Sequence, residues 1–143
     1  MTEQQFEKAL TANDTGESGG HQAGIHIPKS QKDLLEFLPP LDASVKNPST
    51  WLSCVDEADQ EWQFRYIHYN NRLHDEGGTR DEYRVTHMTS FFRAVGARSG
   101  DILVIAGEPR TGRLRIRVRS PTVDGAVAGA PARIRLKGWR RVH

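Results

Sequence analysis

The stretch 62–69 reads WQFRYIHY, in which Trp62, Phe64 and Tyr66 recur at every second position. This period of two is typical of a half-buried β-strand, because successive side chains of a strand point to opposite faces of the sheet. A similar run, WLSCV at 51–55, precedes it, and a polar turn near 57–59 separates the two. The two segments therefore predict a pair of antiparallel strands.

Short β segments recur on both sides of this pair. Further strands are predicted at 24–27, 82–86, 102–105, 112–119 and 133–137. Helices are predicted at 30–38, where Ser30 and Asp33 form an approximate capping box, and at 91–95, which Gly96 ends. Residues 1–12 carry a weak helical pattern, and residues 13–20 predict an exposed loop. The set is mainly β with short α-helices and predicts a closed or nearly closed barrel, with a β-sandwich as the alternative.

The bulk composition is that of one soluble globular domain spanning residues 1–143. The chain is 36% hydrophobic and 27% charged, and it has no apolar run near the roughly 20 residues of a membrane-spanning helix. The N-terminus also lacks the pattern of a secretory signal, so we expect an intracellular protein with no membrane partner. The lone Cys54 excludes an internal disulfide, and its apolar neighbours predict a buried thiol. We expect the three tryptophans to be core residues: Trp51, Trp62 and Trp139.

Charge is divided unevenly along the chain. Residues 110–143 carry a balance of +9, whereas residues 1–109 carry −7. Within the basic part, every second residue of one predicted strand is an arginine: Arg113, Arg115, Arg117 and Arg119. Such a row favours a polyanionic partner whose phosphates it neutralises, but a solvated basic strand face is an equally good interpretation.

Motifs for catalysis, metals or cofactors are missing from the sequence. There is no phosphate-binding loop and no nucleophile elbow, and the spacing of His21 and His26 does not predict a metal site. The paired acid Asp81-Glu82 is flanked by Arg80 and Arg84. A glutamate can accept a hydrogen bond from cytosine N4, and an arginine can donate two to guanine, so this alternation suits a C·G-containing DNA site. An exposed loop with weak ion pairs is the alternative.

Two ordered blocks of sequence resemble a known family. The first is ANDTG at 12–16 followed by GGHQAGIHIP at 19–28, and the second is YNNR at 69–72 followed by TRDEYRVT at 79–86. Both resemble the N-terminal effector domain of EcoRII-type restriction endonucleases. Beyond residue 86, GDIL at 100–103 is similar to plant transcription-factor domains of the B-three type.

The resemblance implies a seven-stranded DNA-binding pseudobarrel whose two arms grip the major groove. The chain departs from the family at His26, where the family has a phenol, and at Gly78 and Tyr83, where it has lysines. Asn70 and Arg72 are interpreted as loop braces or phosphate contacts rather than base readers. The residues predicted to bind DNA are His21, Gln22, His26, Asn70, Arg72, Thr79, Arg80, Glu82, Tyr83 and Arg84.

In the family, this domain is an allosteric module that recognises CC(A or T)GG and controls a C-terminal nuclease domain. The resemblance therefore implies a non-catalytic double-stranded DNA-binding domain, with no cofactor and no metal, that recognises the same or a related C/G-rich site. We expect it to be a domain excised from a prokaryotic cytoplasmic restriction enzyme, with a free-standing DNA-binding protein as the alternative. We expect it to be monomeric in isolation. A small intact metal-dependent nuclease and a module for binding acidic protein are the alternatives.

Overall fold

The computed structural model describes residues 3–16, 24–121 and 139–142. Within these ranges it has eight strands and four short helices. The strands are β1 (Gln4–Ala9), β2 (Ile25–Ile27), β3 (Ser49–Val55), β4 (Glu61–Tyr69), β5 (Glu82–Thr86), β6 (Ile102–Gly107), β7 (Arg113–Arg119) and β8 (Trp139–Arg141). The helices are α1 (Ala12–Thr15), α2 (Lys32–Phe37), α3 (Asn71–His74) and α4 (Thr89–Val95). None of these helices is long and apolar enough to cross a membrane.

The eight strands form one sheet in the order β2-β5-β4-β3-β7-β6-β1-β8. Neighbouring strands are antiparallel except β3 and β7, which are parallel. The two ends of this order approach each other, because the indole nitrogen of Trp139 in β8 donates to the carbonyl oxygen of His26 in β2 at 3.2 Å. The sheet therefore curls into a nearly closed barrel, as predicted, with eight described strands where the resemblance implied seven.

The barrel interior is filled by the apolar half of each alternating strand. In β7, Leu114 and Ile116 point inward and are buried, whereas Arg113 and Arg115 are exposed. Burying one such side chain contributes about 1.5–3 kcal/mol. Helices α2 and α4 add buried side chains to the same core, which include Phe37 and Phe91. Cys54 is buried as predicted, and burial raises the pKa of its thiol to about 12.

The N-terminal segment differs from its sequence prediction. Residues 4–9 form a strand rather than a helix, because β1 is paired on both sides, with β6 and with β8. Residues 12–15 form a single helical turn where a loop was predicted. Thr11 and Asp14 cap that turn reciprocally, and the buried Asp14 also pairs with Lys8 at 2.6 Å.

Two smaller predictions are also wrong. Helix α2 begins after Gln31, which makes no side-chain cap, so the capping box of Ser30 does not form. Trp51 is 53% exposed, because the alternation of β3 turns Leu52 and Cys54 inward and leaves Trp51 on the outer face. Trp139 is buried and Trp62 packs against the core, as expected. The strand predicted at 133–137 lies outside the described residues.

Candidate nucleic-acid interface

Strands β2 and β5 lie side by side and present one exposed face. Ile25, Ile27 and Val85 are buried in the barrel. The intervening residues His26 and Arg84 are direct partners across the two strands and point to the outer face. The alternation that builds the core therefore places a histidine next to an arginine on the outside.

Arg80, Glu82, Arg84 and His26 form what we call the outer cluster. Oε2 of Glu82 accepts from Nη2 of Arg80 at 3.0 Å and from Nε of Arg84. The guanidinium of Arg80 also lies over the ring of Tyr69, 3.9 Å from its centroid, a cation–π geometry that restrains a long side chain. Arg84 donates from Nη1 to the carbonyl oxygen of Gly24 at 3.1 Å. The two arginines are thus held in place before any ligand arrives.

The charge on Glu82 is stabilised by these two partners. Burial alone would raise the pKa of Glu82, but the hydrogen bonds from Arg84 and Arg80 outweigh it and lower the pKa below its ordinary value. Both of these hydrogen bonds end on Oε2. Among the described residues, Oε1 of Glu82 has no hydrogen-bond partner, so the ionised carboxylate keeps an acceptor available.

A second network lies on the other side of β5. Asp81 accepts from Nζ of Lys29 at 2.9 Å and is bonded to Nε2 of His68 at 2.8 Å. The hydrogen bond with His68 and then that with Lys29 lower the pKa of Asp81. His68 is buried, its ring stacks on Tyr83 with centroids 4.2 Å apart, and its Nδ1 has no partner among the described residues. Asp81 therefore links β4, the start of β5 and the segment that follows β2.

The connection between β4 and β5 is braced from below by Asn70. This side chain is fully buried, accepts from the backbone nitrogen of Asn47 at 2.7 Å, and donates to the carbonyl oxygen of Val45 at 3.0 Å. Asn71 fixes the other end of the connection, since its Oδ1 accepts from the backbone nitrogen of Arg80 at 2.8 Å. Gly78 packs so closely on Asn71 that an added Cβ would lie 2.2 Å from its carbonyl oxygen. A side chain at position 78 would therefore clash with the backbone of this connection.

The structure brings some of the predicted DNA-binding residues together and separates others. His26, Arg80, Glu82 and Arg84 share the outer face, and Arg72 and Thr79 are exposed on the adjoining connection. Two predicted residues do not join them. Tyr83 points to the opposite face of β5 and stacks on His68. The side chain of Asn70 is fully buried and holds the loop through Asn47 and Val45, which fits the loop-brace alternative for this residue. His21 and Gln22 lie outside the described residues.

The arginine row of β7 lies on a different part of the barrel. In the strand order, β7 is three strands from β5, so the row does not extend the outer cluster. Arg115 pairs with Glu3. Arg119 and Arg140 both pair with Glu7, at 3.1 and 3.3 Å, and Glu7 is only 4% exposed.

Sequence reasoning missed the residues that hold the cluster in place. Tyr69 ends the alternating stretch, and its cation–π contact with Arg80 spans eleven positions of an irregular connection, so no local pattern signals it. Lys29 is 52 residues from Asp81 and meets it only because β2 pairs with β5. The described residues contain no group of three or more His, Cys, Asp or Glu side chains that could hold a metal ion.

Comparison with known proteins places the chain in a family. Residues 2–120 match the family model described as restriction endonuclease EcoRII, N-terminal. Type II restriction enzyme EcoRII of Escherichia coli is 40% identical over 82 residues, which are 55% of this chain and 19% of that protein. Putative auxin response factor 21 of Arabidopsis thaliana is 34% identical over 116 residues, 80% of this chain and 16% of that protein. Auxin response factor 3 of the same plant is 32% identical over 129 residues, 89% of this chain and 19% of that protein.

These relatives are much longer proteins, since the chain spans less than a fifth of the length of each of the three. The two plant proteins match 80% and 89% of this chain, whereas the restriction enzyme has a higher identity over a shorter stretch, 55% of the chain. The family model, by contrast, covers most of the chain and nearly all of the described strands. The chain therefore belongs to the family of EcoRII N-terminal domains, built on a B-three-like pseudobarrel.

Proposed function

We propose that this domain binds duplex DNA sequence-specifically, with the outer cluster reading base edges in the major groove. It does so as the effector or target-recognition domain of a restriction endonuclease. The division of labour follows the general pattern of DNA recognition, in which basic side chains hold phosphates and a few polar side chains read bases. Family membership supports a DNA-binding role, and the geometry of the outer cluster supports the choice of reading residues.

One observation carries the proposal: an unused acceptor lies beside restrained donors. Oε1 of Glu82 has no partner among the described residues, while the side chain of Arg80 is 39% exposed and its guanidinium is bonded to the same carboxylate. In the major groove, a C·G pair presents the cytosine N4 donor next to the guanine O6 and N7 acceptors. The Arg80–Glu82 pair presents the complementary order, an acceptor next to donors. The cluster therefore fits a C/G-rich target such as CC(A or T)GG.

The width of the exposed element fits the groove as well. The major groove of B-DNA is about 12 Å wide and admits a two-stranded β-ribbon. Strands β2 and β5 are the last two strands at one end of the sheet order and present such a pair of strands on the outer face, while β5 stays paired with β4 on its other side. Because Arg80 stacks on Tyr69 and Arg84 is bonded to Gly24, these two side chains lose little conformational entropy when the strands bind DNA.

The partners follow from the same proposal. The domain acts on double-stranded DNA and regulates a C-terminal nuclease domain of a longer prokaryotic, cytoplasmic chain. In this arrangement, the DNA site bound by the barrel is an effector, and cleavage takes place in the other domain. The 143 residues themselves are proposed to be non-catalytic and monomeric.

Selection of bound duplexes from a randomised pool tests the proposal most directly. We expect a short C/G-rich site to be enriched, and the affinity for it to fall steeply with salt because phosphate contacts release counterions. Arg80→Ala and Glu82→Ala should each cost about 1–3 kcal/mol on the selected duplex and flatten its advantage over a scrambled one.

Arg113→Ala is the matched control, since it removes one exposed charge from the distant β7 face. It should leave the ratio between selected and scrambled duplexes unchanged. Equal losses on both duplexes from all three substitutions would show that the outer cluster does not read bases. Magnesium-dependent nicking of a plasmid, abolished by chelation, would show that the chain is a nuclease itself.

A further inference from the structure

Trp51 is an exposed tryptophan on the outer face of β3. It is 53% exposed, and its ring contacts that of His87 edge-on, with centroids 5.2 Å apart. Tryptophan is the largest apolar side chain, and when it is exposed in a structured element it is enriched at binding surfaces. The barrel itself does not need this side chain, because Leu52 and Cys54 fill the inner face of β3.

His87 has a backbone conformation that a side chain seldom adopts. Its φ is 70°, in the left-handed region, directly after β5 ends. Its Nδ1 is bonded to the hydroxyl of Thr86 at 2.9 Å, which fixes the ring. Strained backbone of this kind is concentrated at functional sites. We call Trp51, His87 and the neighbouring Arg65 the Trp51 patch.

Arg65 joins the Trp51 patch to the outer cluster. It is the direct partner of Trp51 on one side and of Thr86 on the other. Its Nε donates to the hydroxyl of Ser49 at 3.0 Å, and Ser49 lies in the same cross-strand row as Arg84 and His26. The two surfaces are therefore continuous across β3, β4, β5 and β2.

The spacing of the sheet sets the distance between them. Trp51 is two strands and two residues away from Arg84, which corresponds to about 12 Å. The major groove is also about 12 Å wide. A ribbon that lies along the groove with Arg84 near one edge would bring Trp51 close to the sugar–phosphate backbone of the other edge.

We propose that the Trp51 patch binds the sugar–phosphate backbone that borders the groove occupied by the outer cluster, which rests on the function proposed above. Trp51 packs against a deoxyribose, and Arg65 donates to a phosphate. Only the Nε of Arg65 has a partner among the described residues, so its terminal nitrogens remain for that contact. The patch contributes affinity without sequence preference, because every nucleotide presents the same sugar and phosphate.

The test measures anisotropy of two labelled 25-base-pair duplexes, one containing CC(A or T)GG and one scrambled. Trp51→Ala should weaken both duplexes to a similar extent, by about fivefold, which corresponds to roughly 1 kcal/mol. Arg65→Ala should weaken both and reduce the slope of log affinity against log salt by about 0.9. Arg98→Ala, in the turn before β6, is the control for loss of one exposed positive charge, and Val45→Ala is the control for loss of an exposed apolar side chain.

A measurement on the unmodified protein makes the test independent of any folding defect. Trp51 is the exposed tryptophan, whereas Trp139 is buried and Trp62 is partly buried. Binding of either duplex should therefore reduce quenching of tryptophan fluorescence by acrylamide, and Trp51→Phe should remove that protection.

The outcomes separate this proposal from the previous one. Suppose that Trp51→Ala and Arg65→Ala bind both duplexes within twofold of the wild type, while Arg84→Ala no longer prefers the CC(A or T)GG duplex. The role proposed for the Trp51 patch is then wrong, and base reading by the outer cluster is supported. If Trp51→Ala weakens only the CC(A or T)GG duplex, the patch reads sequence and the backbone assignment is wrong. If the wild type binds no duplex, both proposals fail together.

Discussion

The segment 80–86, which contains β5, and strand β7 both place arginines on the outer face of the barrel, yet the surroundings of these arginines differ. In β5, Arg84 shares one carboxylate with Arg80, and the acceptor comes from within the same segment, at Glu82. In β7, the arginines pair with acids that β1 and the residue preceding it supply, about 112 positions away. The first arrangement leaves an acceptor and donors exposed side by side. The second uses Arg115 and Arg119 to pair with acids of the N-terminal segment.

The difference shows that alternating arginines do not by themselves define a DNA-binding face. The apolar side chains on the outer face of β6, Ile102, Val104 and Ala106, are all buried. Their strand partners in β7 are Arg119, Arg117 and Arg115 in turn, so the arginine stems lie beside them. Long charged side chains commonly cover apolar surface with their stems in this way. We infer that β7 stabilises the barrel, whereas β5 presents groups to a partner.

The largest effect that separates the two strands should come from Glu82→Gln. The substitution keeps the shape of the side chain but removes the charge that both arginines share, and the amide can present a donor where cytosine N4 needs an acceptor. We expect the preference for a selected duplex over a scrambled one to fall by roughly tenfold to hundredfold. Competition binding with the selected and the scrambled duplex measures this preference.

Glu3→Gln is the matched control for this change. Glu3 pairs with Arg115 of β7 in a bridge whose members are 51% and 64% exposed, and such pairs contribute little. The Glu3→Gln variant should prefer the selected duplex over the scrambled one as strongly as the wild type does. A similar loss in both variants would mean that the charge of the whole surface, and not the outer cluster, determines specificity.

The second-largest effect should come from Arg119→Ala, which should lower the free energy of unfolding. Glu7 is 4% exposed and would keep Arg140 as a partner but lose Arg119. Removing one partner from a buried carboxylate costs about 1–2 kcal/mol of the free energy of unfolding. Urea denaturation measures this cost, and the ratio of affinities for the two duplexes should not change. A loss of discrimination with unchanged stability would reverse the roles assigned to β5 and β7.

The barrel could be predicted from sequence because its strands alternate. The stretch 62–69 is paired as expected with β3, and Leu114 and Ile116 point inward as their period of two requires. Segment 4–9 was predicted wrongly as a helix because its short apolar pattern fits either structure. Its pairing with β6 and β8, which are distant in sequence, decides for a strand.

The candidate site could be predicted only in part, because several of its contacts join segments that are distant in sequence. Arg80, Glu82 and Arg84 are close in sequence, so their alternation and the family motif both indicate them. Lys29 and Asp81 meet through strand pairing, and Trp51 was assigned to the core because a tryptophan in an alternating strand favours neither face on its own. What sequence reasoning missed are contacts between segments that only the topology brings together.

The third effect, from Asp81→Asn, tests whether the hydrogen bonds of Asp81 with His68 and Lys29 stabilise the barrel. The fold lowers the pKa of Asp81 below its ordinary value of 3.8 through hydrogen bonds with His68 and then Lys29. The ionised form is therefore the stabilising one, and its contribution is complete above that value and lost as the pH falls through the lowered pKa. At neutral pH, the variant should lose about 1 kcal/mol.

The pH dependence provides the check on this third effect. The difference in unfolding free energy between wild type and Asp81→Asn should shrink as the pH falls from about 5 to about 3. Asp75→Asn is the control, because Asp75 pairs with Lys46 in an exposed bridge on the same connection. A constant difference across this range would contradict the role of the charged form of Asp81.

The smallest effect should come from Arg113→Ala, and its smallness makes it informative. Arg113 is exposed at the start of β7 and makes no side-chain contact with the acids of β1 among the described residues. Its loss should change stability by less than about 0.5 kcal/mol. If β7 also approached DNA, removing this charge would reduce the slope of log affinity against log salt by about 0.9. We expect an unchanged slope, because the proposed DNA contacts lie on β5, on β4 and at Trp51 of β3, whereas β7 pairs with β3 on the side away from β4.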